Sequence, residues 1–200
     1  MSCLRHCAFS LLACVAMLSC VALLSCGSSP PTRFYTLNEV APAAGNGGSV
    51  PAGAIPLRLE SVAIPAELDR PQLVHHSGPN QLSVADSDRW AAPLDEQIRR
   101  TLSDDLAARL PAGLVADPNE PGTHEPRRTL SVSIGQFDAD ASCALTLSAS
   151  WSLQQPHERT RSGSQRIAQP SAGACPTALP AAMSRALATL ADRLAAIVAQ

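Results

Sequence analysis

The residues of this chain best equipped for chemistry are few and scattered. Asp69 and Arg70 stand side by side between Pro65 and Pro71 in "IPAELDRPQLV", an acid and a base of the kind that general acid–base work or an ion pair employs. His75 and His76 follow in "QLVHH", and neutral imidazole is the commonest side-chain ligand for a metal. Strand geometry argues against both pairs. Pro71 favours an extended Arg70, and neighbours in extended backbone point to opposite faces, so Asp69 and Arg70 diverge and the two histidines cannot hold one ion. Arg70 is then left for an internal ion pair or for a partner. Pro65 and Pro71 carry no N–H, which places the segment at a sheet edge or a crossing between strands. His124 and His157 fall in expected loops without an assignable carboxylate.

Other chemistries are excluded by what the chain lacks. It contains no Lys, so a Walker-type phosphate loop, a Schiff base and a lysine general base are all ruled out. It has no Gly-x-Ser-x-Gly elbow, no His-Glu-x-x-His and no Cys-x-x-Cys. A formal net charge of −2 gives no electrostatic footprint for nucleic acid. The expectation is a protein that is not an enzyme and needs no cofactor and no metal.

The N-terminus speaks of compartment. Arg5 and His6 precede "CAFSLLACVAMLSCVALLSC", an apolar run without an acid, which is the pattern of a secretory signal. The run ends at Leu23-Leu24-Ser25-Cys26-Gly27, which looks like a bacterial lipobox. Residues 1–25 then form a cleaved signal, Cys26 is the lipid-attachment residue, and 26–33 is a tether. Cys20, behind Met17-Leu18-Ser19, fits less well because its minus-three residue is not Leu. Each buried acyl methylene contributes about 0.8 kcal/mol, so a chain carrying two or three acyl groups stays on its membrane. Gly27 follows the cysteine where Asp would resemble an inner-membrane retention signal; the outer membrane, facing the periplasm, is the better expectation. Four of the seven cysteines leave with the signal and Cys26 takes lipid, leaving Cys143 and Cys175. Two thiols in an oxidising compartment predict a disulfide.

The elements that must position these residues follow from periodicity. A first strand is expected at Phe34–Leu37, then an Ala/Gly/Pro-rich loop from Ala41 to Gly53. Ile55, Leu57 and Leu59 alternate as in a half-buried strand, and the phase slips to Val62 and Ile64, which predicts a bulge near Ser61. "QLVHH" and "QLSVAD" flank Ser77-Gly78-Pro79-Asn80 as a hairpin. Leu94, Ile98, Leu102, Leu106 and Leu110 form a helical stripe behind Pro93. Asp95 with Arg99, Glu96 with Arg100, and Asp105 with Arg109 read as a solvated helix face. Leu130–Ile134 and Leu145–Leu153 alternate as strands, a weaker strand runs through Thr160–Ala168, and an exposed loop spans Pro118–Pro126. The last helix starts near Thr177–Pro180 and carries Met183, Leu187, Leu190, Leu194 and Ile197, with many alanines for close packing. Residues 34–200 are expected to form one α+β domain, with the two amphipathic helices on one face of a mainly antiparallel sheet. If the strands on either side of Pro156 pair, Cys143 and Cys175 come within bridging range.

"VAIPAELDRPQLV", "DRWAAPLDEQIRRTLSDDLAARL", "LTLSASWSL" and the alanine-rich terminal helix, all behind a lipobox, together resemble the PqiC/YmbA family of ABC-type transport auxiliary lipoproteins. The resemblance covers roughly Phe34–Val198. Its most specific parts are Leu68-Asp69-Arg70-Pro71-Gln72 and Arg89-Trp90 with Pro93-Leu94. It implies a periplasm-facing accessory subunit with no reaction of its own, working with an MCE-domain protein that carries lipid between membranes. Phospholipid is an implied ligand and a homo-oligomer an open alternative to a monomer. A free-standing structural or assembly lipoprotein with no transporter partner is the alternative reading.

Overall fold

In the computed structural model, residues 30–42, 48–50, 52–116 and 127–199 are described. Cys26, His124 and the loop expected at Pro118–Pro126 lie outside them. The chain divides into two units, Met1–Pro31 and Thr32–Gln200, and the elements below belong to the second.

Among the described residues seven strands and two helices follow in the order β1 (Arg33–Tyr35), β2 (Leu57–Ala63), β3 (Gln72–Gly78), β4 (Gln81–Trp90), α1 (Leu94–Arg109), β5 (Arg128–Ala139), β6 (Leu145–Gln154), β7 (Arg161–Gln169) and α2 (Leu179–Val198). They are α+β, but the strands make two sheets, β1-β4-β3 and β2-β5-β6-β7. Both sheets are mixed, because β1 pairs parallel with β4 and β2 parallel with β5. The expected α+β domain holds and most pairings among the described residues are antiparallel; the division into two sheets and the two parallel pairs are what the expectation lacked. A parallel pair needs a long crossover, and α1 supplies one between β2 and β5. The remaining neighbours, β3 with β4, β5 with β6 and β6 with β7, are antiparallel hairpin partners.

Local signals account for most of the boundaries. The phase slip in β2 is a register shift between Leu59 and Ser61 against β5. Pro93 stands immediately before α1, Asp95 and Glu96 occupy its first turn, and Arg109 lies in its last, which suits the helix dipole at both ends. Leu94, Ile98, Leu102 and Leu106 are all buried. In α2, Leu187, Leu190 and Leu194 are buried together with Ala182, Ala186 and Ala191, and the small residues let the helix approach its neighbours closely. The two helices pack on each other and on the four-stranded sheet, where Leu57, Leu59, Leu130, Leu145 and Leu147 close the core. Trp151 lies across Gly163 of the next strand: a Cβ added there would meet the indole at 2.9 Å. That close approach is why β7 carries a glycine at this row.

Cys143 and Cys175 form a disulfide, with Cα atoms 5.6 Å apart. The pairing of Leu145 with Gln169 brings the start of β6 beside the end of β7, as the turn near Pro156 requires. Cys143 sits at φ 64° in the β5–β6 turn. Asp140 holds that turn: its Oδ1 accepts from the backbone N–H of Ser142 and Ala144 and from the Ser142 hydroxyl. The Ser142 hydroxyl and these backbone donors keep the Asp140 carboxyl below its ordinary range.

One expected solvated pair is buried. Asp105 and Arg109 lie under the segment that follows β1, with Asp105 fully inaccessible and Arg109 nearly so. The pattern of acid four residues before base is the same as for Asp95 and Arg99, but periodicity cannot tell which side of a helix another segment will cover.

Candidate functional site

The two most specific motifs of the sequence converge. The backbone N–H of Trp90 donates to the Pro71 carbonyl at 2.7 Å, and Gln72 pairs with Arg89 across the β3–β4 ladder. Next to this junction an open groove of about 340 Å³ is lined by Asp69, Arg70, Pro71, Trp90, Ala92, Pro93 and Leu94. Its floor is apolar, from Trp90, Leu94 and the two prolines, and its rim carries the exposed Asp69 and Arg70. An apolar floor with a few charged groups at the mouth is the composition that recognition surfaces share.

The corner itself is a turn and not extended backbone. Leu68 N–H donates to Pro65, Asp69 N–H to Ala66 and Arg70 N–H to Leu68. Leu68 anchors the turn in the core, 3% exposed. Asp69 and Arg70 therefore reach solvent because the turn lifts them, and not because strand alternation parts them. Among the described residues neither takes an ion-pair partner. The internal ion pair open to Arg70 from sequence is not formed there.

A buried carboxylate fixes the sheet behind the groove. Asp88 Oδ1 accepts from Arg33 Nε at 2.8 Å and from the Tyr35 hydroxyl at 2.8 Å, while Oδ2 accepts from Arg33 Nη2 at 2.9 Å. The Arg33 guanidinium holds the Asp88 carboxyl below its ordinary range, with the Tyr35 hydroxyl adding to it. The Arg33 guanidinium is raised above its own ordinary value by the same bond, and the Tyr35 phenol is raised first by burial and then by Asp88. Asp88 and Trp90 are two residues apart on one strand and so share a face. Period-two reading alone could have placed a carboxylate beside Trp90. Nothing in the sequence could have named Arg33 and Tyr35 as its donors, since that needs the parallel register of Arg33 with Asp88 and Tyr35 with Trp90.

Gln97 completes the frame. Its Oε1 accepts from Leu37 N–H at 3.0 Å and its Nε2 donates to the Ala92 carbonyl at 2.8 Å. One side chain of α1 thus joins the strand β1 exit to the groove wall. Of the adjacent histidines His75 and His76, the second meets a carboxylate: His76 Nε2 lies 2.9 Å from Asp138 Oδ2, linking β3 to β5. Among the described residues no cluster of three or more His, Cys, Asp or Glu side chains could hold a metal ion, and no helix is long and apolar enough to cross a membrane.

Solved structures show the same fold. A protein of uncharacterised function matches with a TM-score of 0.71 at 21% identity, over 84% of this chain and 99% of its own. A Xanthomonas campestris protein of a family of unknown function matches with a TM-score of 0.62 at 19% identity, over 81% and 92% of the two chains. In sequence, the intermembrane transport lipoprotein PqiC of Escherichia coli (strain K12) is 29% identical over 97 residues, 48% of this chain and 50% of that protein. The protein of the same name from Shigella flexneri matches equally. The match spans about half the length of these curated relatives. Residues 35–195 match the model of one family, and that stretch contains every element from the end of β1 into α2, so this chain belongs to the ABC-type transport auxiliary lipoprotein components.

Proposed function

We propose that this chain is an accessory subunit of an ABC-type lipid transport system, anchored in the outer membrane through lipid on Cys26 and facing the periplasm. It has no reaction of its own; it docks an MCE-domain protein through the groove between the Leu68–Gln72 corner and Trp90–Leu94. The name of the PqiC relatives supports transport between membranes. In this reading 1–25 is the cleaved signal, 26–33 the tether and 34–200 the working domain.

The carrying observation is convergence: the two sequence motifs, brought side by side at the open end of the β3–β4 hairpin, meet at one apolar groove, and the charged groups at its mouth have no internal duty among the described residues. Buried aromatic anchors ringed by polar groups are the usual centres of binding energy at interfaces. Phospholipid passing to or from the partner is the accompanying ligand, and self-association is read by sizing the purified protein.

The test places photoreactive residues along 65–76 and captures adducts from intact envelopes. Recovery of an MCE-domain protein, lost in Arg70→Ala, is the expected result. Recovery of none from crosslinked envelopes sinks the docking role and leaves a free-standing structural lipoprotein.

A further inference from the structure

Leu82 and Val84 of β4 are 38% and 39% exposed, unusual for large apolar side chains in this domain. Two residues apart, they share one face of the strand. From Pro71 to Ala85 the hairpin carries no Asp, Glu or Arg. Among the described residues β1 pairs with β4 only at Asp88, Arg89 and Trp90, so the stretch from Gln81 to Ser87 overhangs β1 with that edge unpaired. Pro30 and Pro31 precede β1 and offer no N–H, so the ladder cannot extend back along the overhang.

Direction and length say what this overhang meets. Because β1 and β4 run parallel, the overhang extends toward the side from which the chain enters β1. Measured along β3, the hairpin runs six residues from Gln72 to Gly78, about 20 Å at about 3.3 Å each, because β4 takes up extra residues between Val84 and Arg89. From Cys26 to Arg33 the chain advances seven residues, and full extension spans at most about 25 Å. A lipid on Cys26 is thus held on a tether of about the hairpin's own length.

We propose that the β3–β4 hairpin lies on the bilayer that holds acylated Cys26, with Leu82 and Val84 set into the lipid interface. The proposal rests on the reading of Cys26 as the lipid-attachment residue. Two half-exposed aliphatic side chains bind a bilayer weakly on their own, but a short tether raises the effective concentration of that surface to the order of millimolar. No acid lies between Pro71 and Ala85, which spares the outer part of the hairpin repulsion from anionic headgroups; the exposed Asp86 marks where that stretch ends. Trp90 stands at the other end of the same strand, away from the turn between Gly78 and Gln81. A bilayer-seated hairpin therefore turns the groove away from the membrane, where a partner can reach it.

The test uses the full, acylated chain in vesicles of phosphatidylethanolamine and phosphatidylglycerol, with photoreactive benzoylphenylalanine in place of Leu82, Val84 or, as a remote exposed position, Ser150. Lipid adducts at 82 and 84 are expected to exceed those at 150 by about tenfold or more. Protein adducts at 82 and 84, which indicate a second copy on the open edge, overturn the proposal, as does an equal yield at all three positions. Acyl mass on Cys26 and sedimentation of the protein with vesicles separate the two readings. With both present and no lipid adduct, the hairpin proposal falls and the anchor stands; a Cys26→Ala chain that still sediments overturns the anchor and the hairpin proposal with it.

Discussion

Asp88 and Asp105 both hold the segment around β1 to the body of the domain, and their carboxyls move in opposite directions. Asp88 receives three donors, from Arg33 and Tyr35, and its carboxyl is lowered. Asp105 uses only Oδ1, which accepts from Val40 N–H at 3.0 Å and Arg109 Nη1 at 3.2 Å, while its Oδ2 is buried without a partner. Burial pushes Asp105 up to about 6 against the lowering influence of Val40 and Arg109. The lesson is that donors must saturate both oxygens to keep a buried carboxylate ionised; one neighbouring cation is not enough when the second oxygen faces no donor.

The largest break in this comparison is Arg109→Met. Arg109 donates to Asp105, to the Val40 carbonyl and to Asp192, so its loss strips a buried acid of its cation. A cost of about 3 kcal/mol is expected at pH 8 by urea unfolding. It shrinks at pH 5, where Asp105 takes up a proton.

Next comes the pH slope of the native protein. Between the ordinary 3.8 and about 6 the folded chain keeps a proton on Asp105 that the unfolded chain has released. Stability therefore falls as pH rises through that window, by at most about 3 kcal/mol, and is flat above it. The groups facing this carboxyl are Arg109, Asp192 beyond it and Glu39. Asp105→Asn is expected to remove the slope; a slope that survives unchanged assigns it to another group.

Asp88→Asn has the opposite signature and a smaller effect. A lowered carboxyl stabilises above the unfolded value near 3.8 and loses that contribution as pH falls through its folded range. The Asn variant should be less stable at neutral pH, lack the acid-side loss, and show faster amide exchange at Ala91, whose N–H donates to Tyr35. The smallest change is Arg70→Ala: unfolding within about 0.5 kcal/mol of the native protein, with partner crosslinking lost. A variant that instead fails to accumulate makes the corner structural.

Much of the fold was legible in local pattern. The leucine stripe of α1, the alanine-lined α2, the bulge near Ser61 and the hairpin at Ser77–Asn80 each rest on periodicity or turn composition, which neighbours in sequence decide. The groove was half legible: both of its motifs were singled out, but not that they meet. Asp69 and Arg70 were expected on an extended edge because Pro71 disfavours helical backbone before it, and the tight turn anchored by Leu68 overrode that preference.

The sequence by itself determined the two helices and most of the strands of the described residues, the pairing of Cys143 with Cys175, and the absence of lysine chemistry. Tertiary structure alone decided the parallel pairings, the burial of Asp105 and Arg109, the Arg33–Tyr35–Asp88 cluster and the groove at Trp90. The reason is range. Periodicity, caps and turns are fixed over a few residues, whereas register between β1 and β4 joins residues 55 apart and is chosen by burial of whole faces, which no short window contains.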